Sequence, residues 1–107
     1  MDVRVANDPI LARFRHELDT VYGPEVDRVV LFGSRARGDA RPDSDYDVAV
    51  FLKHPGGLWD ELGKLAHITT EIMCDTGAVI SAKPFAAKLY EERSPLMHEI
   101  RTDGIDL

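Results

Sequence analysis

Four residues in the stretch Val29–Leu52, VVLFGSRARGDARPDSDYDVAVFL, have the types and spacing for metal and phosphate chemistry. Asp45 and Asp47 stand two apart where an apolar run, Val48 to Leu52, begins. Side chains alternate along a strand, so acids two apart project from one face. Gly33 and Ser34 close an earlier apolar run, Val29 to Phe32. Mg²⁺ takes hard oxygen ligands, usually one or two carboxylates completed by substrate phosphates and water. A glycine admits close backbone approach to a ligand, and a hydroxyl and amides behind it can face a phosphate where a short helix starts. Arg35 and Arg37 follow, with guanidinium groups suited to bidentate contact with phosphate oxygens. The expected site is a divalent cation on Asp45 and Asp47, beside a phosphate bound by Gly33, Ser34, Arg35 and Arg37. Each feature also has a plainer reading: solvated acids at a loop–strand junction, a strand-ending turn, and surface charges in a polar loop.

The remaining elements must hold these residues in place. Asn7-Asp8-Pro9 is a helix start, a capping side chain and then a proline at the first helical position. Ile10, Leu11, Phe14, Leu18, Val21 and Tyr22 recur at helical spacing until Gly23-Pro24 breaks the pattern. A first strand is expected at about 27–32, a single helical turn at 34–38 and a second strand at 46–53. On the second strand Asp45, Asp47, Ala49 and Phe51 share one face, and Tyr46, Val48, Val50 and Leu52 the other. A long helix is expected over 58–74 and a third strand over Ala78–Ala82, before Pro84. Weak helical character follows at 86–92, and a last helix opens at Ser94-Pro95. Trp59 reads as core in preference to an interface anchor, Tyr46 as core, Cys74 as a buried or half-buried filler, and Leu96, Met97 and Leu107 as core or interface.

At 107 residues, 44% hydrophobic and 30% charged, the chain fits one ordinary globular domain, residues 1–107. No apolar stretch approaches the roughly 20 residues that span a membrane, and the opening MDVRVANDP lacks a signal peptide's apolar core. The single cysteine, Cys74, suits a reducing cytoplasm. A net charge of −6 argues against direct binding to nucleic acid, which needs a basic footprint. The four histidines lie far apart, so nothing supports a zinc site.

Gly33-Ser34-x-Ala36-Arg37-Gly38 followed by Ser44-Asp45-x-Asp47 resembles the signature of the DNA polymerase β-like nucleotidyltransferase superfamily, and within it the minimal nucleotidyltransferases (MNT proteins). The resemblance implies an α/β (α+β) nucleotidyltransferase core, a small mixed β-sheet flanked by helices. It implies Mg²⁺ and ATP as cofactor and substrate, with Asp45 and Asp47 catalytic. It also implies an antitoxin role: MNT proteins pair with a HEPN-family ribonuclease toxin as a hetero-oligomer, and some adenylylate a toxin tyrosine.

Catalytic members of that superfamily carry a third carboxylate on the third strand. Here Gly77 to Lys83 reads GAVISAK and contains no acid. Ser81 or Ile80 is expected at the corresponding position, and Asp75 falls too early, at the helix end. Two acids can hold one Mg²⁺ and a nucleotide, but the loss weakens a mechanism with one ion on the attacking oxygen and another on the leaving group. Two readings follow: an adenylyltransferase acting on its toxin, and a catalytically degenerate antitoxin that neutralises by binding alone. A free-standing enzyme acting on a small molecule is less supported, because no segment remains to build its pocket.

Overall fold

The computed structural model describes residues 3–107. After one turn of helix, α1 (Val3–Ala6), the Asp8 carboxylate accepts the N–H groups of Ile10 at 2.9 Å and Leu11 at 3.4 Å. These bonds satisfy first-turn donors that a helix cannot pair internally, and Pro9 has no N–H to lose there. The helix that follows, α2 (Pro9–Tyr22), buries Leu11, Phe14 and Leu18, the stripe that the spacing predicts.

Strand β1 (Val26–Phe32) leads through Gly33 into a four-residue helix, α3 (Ser34–Arg37), and then a loop to β2 (Tyr46–Leu52). Helix α4 (Leu58–Thr76) crosses over to β3 (Ile80–Ala86), a 3-10 turn spans Ala87–Glu91, and α5 (Pro95–Asp103) and β4 (Ile105–Asp106) complete the chain. The Ser94 side chain caps α5 by accepting the Met97 N–H at 3.2 Å.

The sheet runs β3-β2-β1-β4. Strands β1 and β2 pair antiparallel, β2 and β3 parallel, and β1 and β4 antiparallel. A parallel neighbour needs a long crossover, and α4 supplies it. Central β2 is buried along almost its whole length. Tyr46, Val48, Val50 and Leu52 pack with Leu11, Phe14, Leu18, Leu65, Ile68 and Ile72 of α2 and α4. Ala49 and Phe51 pack on the opposite face with Val30, Phe32, Met97 and Ile100. The mixed α+β architecture is therefore the expected one, with helices on both faces. Among the described residues no helix is long and apolar enough to cross a membrane.

Several expectations need correction. The third strand begins two residues later than Ala78 and continues through Pro84 to Ala86. It is an edge strand, paired only with β2, and a proline is tolerated where its missing N–H would face away from the ladder. Trp59 is not core: it is 84% exposed, because position 59 falls on the side of α4 opposite Glu61, Leu65, Ile68 and Ile72, the residues that are buried. Cys74 is exposed as well. Met97 is core, while Leu96 and Leu107 pack half-buried at the two margins. Strand β4 and helix α1 were not expected; each is too short to carry a periodicity.

Candidate active site

The antiparallel register sets Phe32 of β1 opposite Asp47 of β2, and the parallel register sets Asp47 beside Ser81 of β3. Phe32, Asp47 and Ser81 therefore form one row across the sheet. Asp47 shares the face of Ala49 and Phe51, as the alternation requires. Helix α5 and the 3-10 turn cover the rest of that face, leaving Asp47 half-buried at its open margin. Asp45 is exposed in the loop just before the strand.

Gly33 joins this row to the turn. Its backbone, at φ 75° and ψ −157°, is essentially a glycine conformation. A Cβ built on it would lie 2.4 Å from Asp47 Oδ2 and 3.2 Å from its Cγ. The Asp47 carboxylate is thus seated against the glycine backbone where a larger residue would displace it. The Gly33 carbonyl accepts the N–H groups of Ala36 and Arg37, each at 3.1 Å, which closes α3 and sets Ser34 at its start. The two sequence signals, eleven positions apart at their nearest residues Ser34 and Asp45, meet at one point of the fold.

The two arginines part company. Arg35 turns to the opposite face: its Nε donates to the Ser44 carbonyl at 3.0 Å, and its Nη2 to Ser44 at 2.8 Å and Pro42 at 3.2 Å. Its guanidinium also lies 4.0 Å from the Tyr46 ring centroid. Arg35 therefore clamps the loop that delivers Asp45, and the phosphate contact expected of it is not what this geometry serves. Arg37 is exposed and links α3 to α5, with Nη1 3.3 Å from Glu99 Oε1 and Nε 3.5 Å from Asp39 Oδ2. Tyr46 carries a second brace: its hydroxyl donates to Asp8 Oδ2 at 2.8 Å. Burial, then the Asp8 carboxylate, pushes its phenol up to about 12.

Residues 11–93, more than half of the chain, match the family model of the nucleotidyltransferase domain. The chain belongs to the nucleotidyltransferase domain family. A Methanocaldococcus jannaschii protein, provisionally assigned as a protein adenylyltransferase, is 43% identical over 44 residues, which span 41% of this chain and 44% of that relative. The match thus covers less than half of the relative's length. A provisionally assigned nucleotidyltransferase from Sulfolobus solfataricus has the same fold at 18% identity, with a TM-score of 0.64 over 91% of this chain and 75% of its own. A toxin–antitoxin crystal structure with AMP-PNP aligns at 18% identity and a TM-score of 0.59, over 87% of this chain and 68% of that one.

For this nucleotidyltransferase domain, Asp45 and Asp47 are of the donor type that suits a hard divalent cation. Asp45 and Asp47 offer carboxylate oxygens at the open margin, and Asp47 is held by Gly33. No group of three or more His, Cys, Asp or Glu residues gathers to hold a metal among the described residues. Of the two candidates for the third carboxylate's position, Ser81 stands beside Asp47, whereas Ile80 points into the opposite core. The same alternation brings Lys83 to the Asp47 face, its Nζ 5.5 Å from the Phe32 ring centroid. Lys83 stands two residues after Ser81, and that spacing is the signal in the sequence that sets it on the Asp47 face.

Proposed function

We propose that residues 1–107 form one nucleotidyltransferase domain that transfers AMP from ATP to a hydroxyl of a partner protein, a HEPN-family ribonuclease toxin, and so acts as its cytoplasmic antitoxin. The observation that carries the reading is the seating of Asp47 on Gly33, which unites the Gly33-Ser34 turn with the acid pair. Family membership supports the reaction class. The partly matching relative assigned to protein adenylylation supports the type of acceptor. The shared fold with an AMP-PNP-bound toxin–antitoxin structure agrees with the choice of partner.

In this reading Asp45 and Asp47 hold Mg²⁺, and Ser34 and Arg37 contact the phosphates. The bound ion supplies charge stabilisation at the transferring phosphorus. The acceptor oxygen bonds to the α-phosphorus, and the bond from that phosphorus to the bridging oxygen breaks. Pyrophosphate departs, and the hydroxyl proton passes to solvent. Arg35 and Tyr46 act as positioning residues, fixing the loop that bears Asp45.

The second reading, an antitoxin that works by binding alone, is favoured by one observation: Ser81 stands in the row with Asp47. Intact-mass analysis of the toxin after incubation with this protein and MgATP separates the two. A gain of one or more AMP masses, absent with the Asp45→Asn/Asp47→Asn protein, supports transfer. A silenced toxin of unchanged mass with ATP and every other NTP refutes it.

A further inference from the structure

We propose that Lys83 is a triphosphate-binding residue of this site, adding positive charge from the protein beside the acid pair. The inference rests on the nucleotide site proposed above and goes further, by assigning the third-strand position a cationic role.

The geometry comes from register. Asp47 neighbours Ser81, and Ala49 neighbours Lys83. Residues 81, 83 and 85 share a face, and Phe85 packs with Ala49 and Phe51, so Lys83 projects from the face that carries Asp47. Its ammonium lies 5.5 Å from the ring of Phe32, a residue of β1. Strands stand about 4.8 Å apart, so β3 and β1 are separated by about 10 Å, with β2 between them. The side chain therefore reaches across β2. Its path is open because Ala49 in β2 carries only a methyl group. Phe32 is the direct cross-strand partner of Asp47, so the ammonium ends beside the row that holds the carboxylate.

The charge balance explains what such a lysine can do. Asp45 and Asp47 together offset one divalent cation, and a nucleoside triphosphate then brings further negative charge into the same margin. Without a third acid, a second metal ion has no carboxylate of its own on β3. Arg35 is committed to the loop on the other face, and Arg37, the phosphate contact of the reading above, has part of its charge offset by Asp39 and Glu99. Lys83 is exposed, and its described contact is a ring face at the long end of the cation–π range, which holds an ammonium weakly. A small rotation about its flexible stem would carry it to a phosphate oxygen. The plainer role for a lysine on an edge strand is to discourage strand pairing between molecules. That role requires no reach toward β1.

Calorimetric titration of the whole protein with AMP-PNP and Mg²⁺, using wild type, Lys83→Met, Lys83→Arg and Asp47→Asn, tests the inference without relying on turnover. Lys83→Met should weaken AMP-PNP binding by about tenfold or more, the loss of a charged contact, with its melting temperature unchanged. Lys83→Arg should recover most of that loss. The penalty should shrink several-fold with AMP, which lacks the β- and γ-phosphates. Wild-type binding that Lys83→Met leaves intact refutes the lysine's role and leaves the nucleotide site standing, provided Asp47→Asn abolishes it. Failure of the wild type to bind any nucleotide with Mg²⁺ overturns both.

Discussion

Gly33→Ala is the sharpest perturbation of the site, because it attacks the seat of Asp47 and not the carboxylate itself. The backbone at φ 75° and ψ −157° lies in a region that alanine enters at about 1–3 kcal/mol. The new Cβ would also lie 2.4 Å from Asp47 Oδ2, 3.2 Å from Cγ and 3.3 Å from Cβ. Clearing the first two contacts forces the carboxylate off its seat at about 1 kcal/mol, and the third contact, to Cβ, stays tight, so the total loss should be about 3 kcal/mol. Gly38 is the control: at φ 84° and ψ 13° it is left-handed, yet a Cβ there would meet nothing within 4 Å. Gly38→Ala should cost only the backbone term, about 1–2 kcal/mol. Urea denaturation followed by far-UV circular dichroism measures both. Adding Asp47→Ala to the Gly33→Ala protein should return about 1 kcal/mol, by removing the atoms that clash. Equal losses for the two glycine variants, with no recovery from Asp47→Ala, would refute the seating of Asp47 on Gly33.

Arg35→Ala should destabilise the protein by about 2 kcal/mol in urea, because it leaves the Ser44 and Pro42 carbonyls without their charged donor, and Arg35→Lys should recover little of the forked geometry. Tyr46 predicts alkaline sensitivity: its phenol is raised to about 12 by burial and by Asp8, so the neutral form favours the fold. That stabilisation is complete below about pH 10 and is lost between about pH 10 and 12, at up to ~1.4 kcal/mol per pH unit. Denaturation at pH 8, 9.5 and 11 should show Tyr46→Phe losing stability less steeply than wild type, and equal slopes would contradict the assignment. Trp59→Ala should change stability by less than about 0.5 kcal/mol, and the lone tryptophan should emit as a hydrated indole in the folded state. A blue-shifted emission would mean that the indole is covered.

What was legible in the sequence was what depends on neighbours along the chain. The Asp8-Pro9 start, the Leu11–Phe14–Leu18 stripe and the two faces of β2 all follow from local periodicity, and all appear in the structure. The turn at Gly33 was legible for the same reason, since a glycine between an apolar run and a short helix announces an unusual backbone. What was misread depends on which strand lies beside which. Pro84 reads as a strand terminator until β3 is known to be an edge. Trp59 reads as core by its size and apolar character, yet it lies on the side of α4 away from Leu65, Ile68 and Ile72. Arg35 and Arg37 look equivalent in sequence, yet two residues on so short a helix diverge to opposite sides of the sheet. The position of the missing acid is also a question of register: shifting β3 by one residue would bring Ile80 or Ala82 beside Asp47 and turn Lys83 to the opposite face. With the register fixed at Asp47–Ser81, the loss of a carboxylate and the presence of Lys83 become two features of one strand face. The charge at this margin is therefore set by β3 as much as by the acid pair, and a search for the third acid alone misses the cation two residues further on.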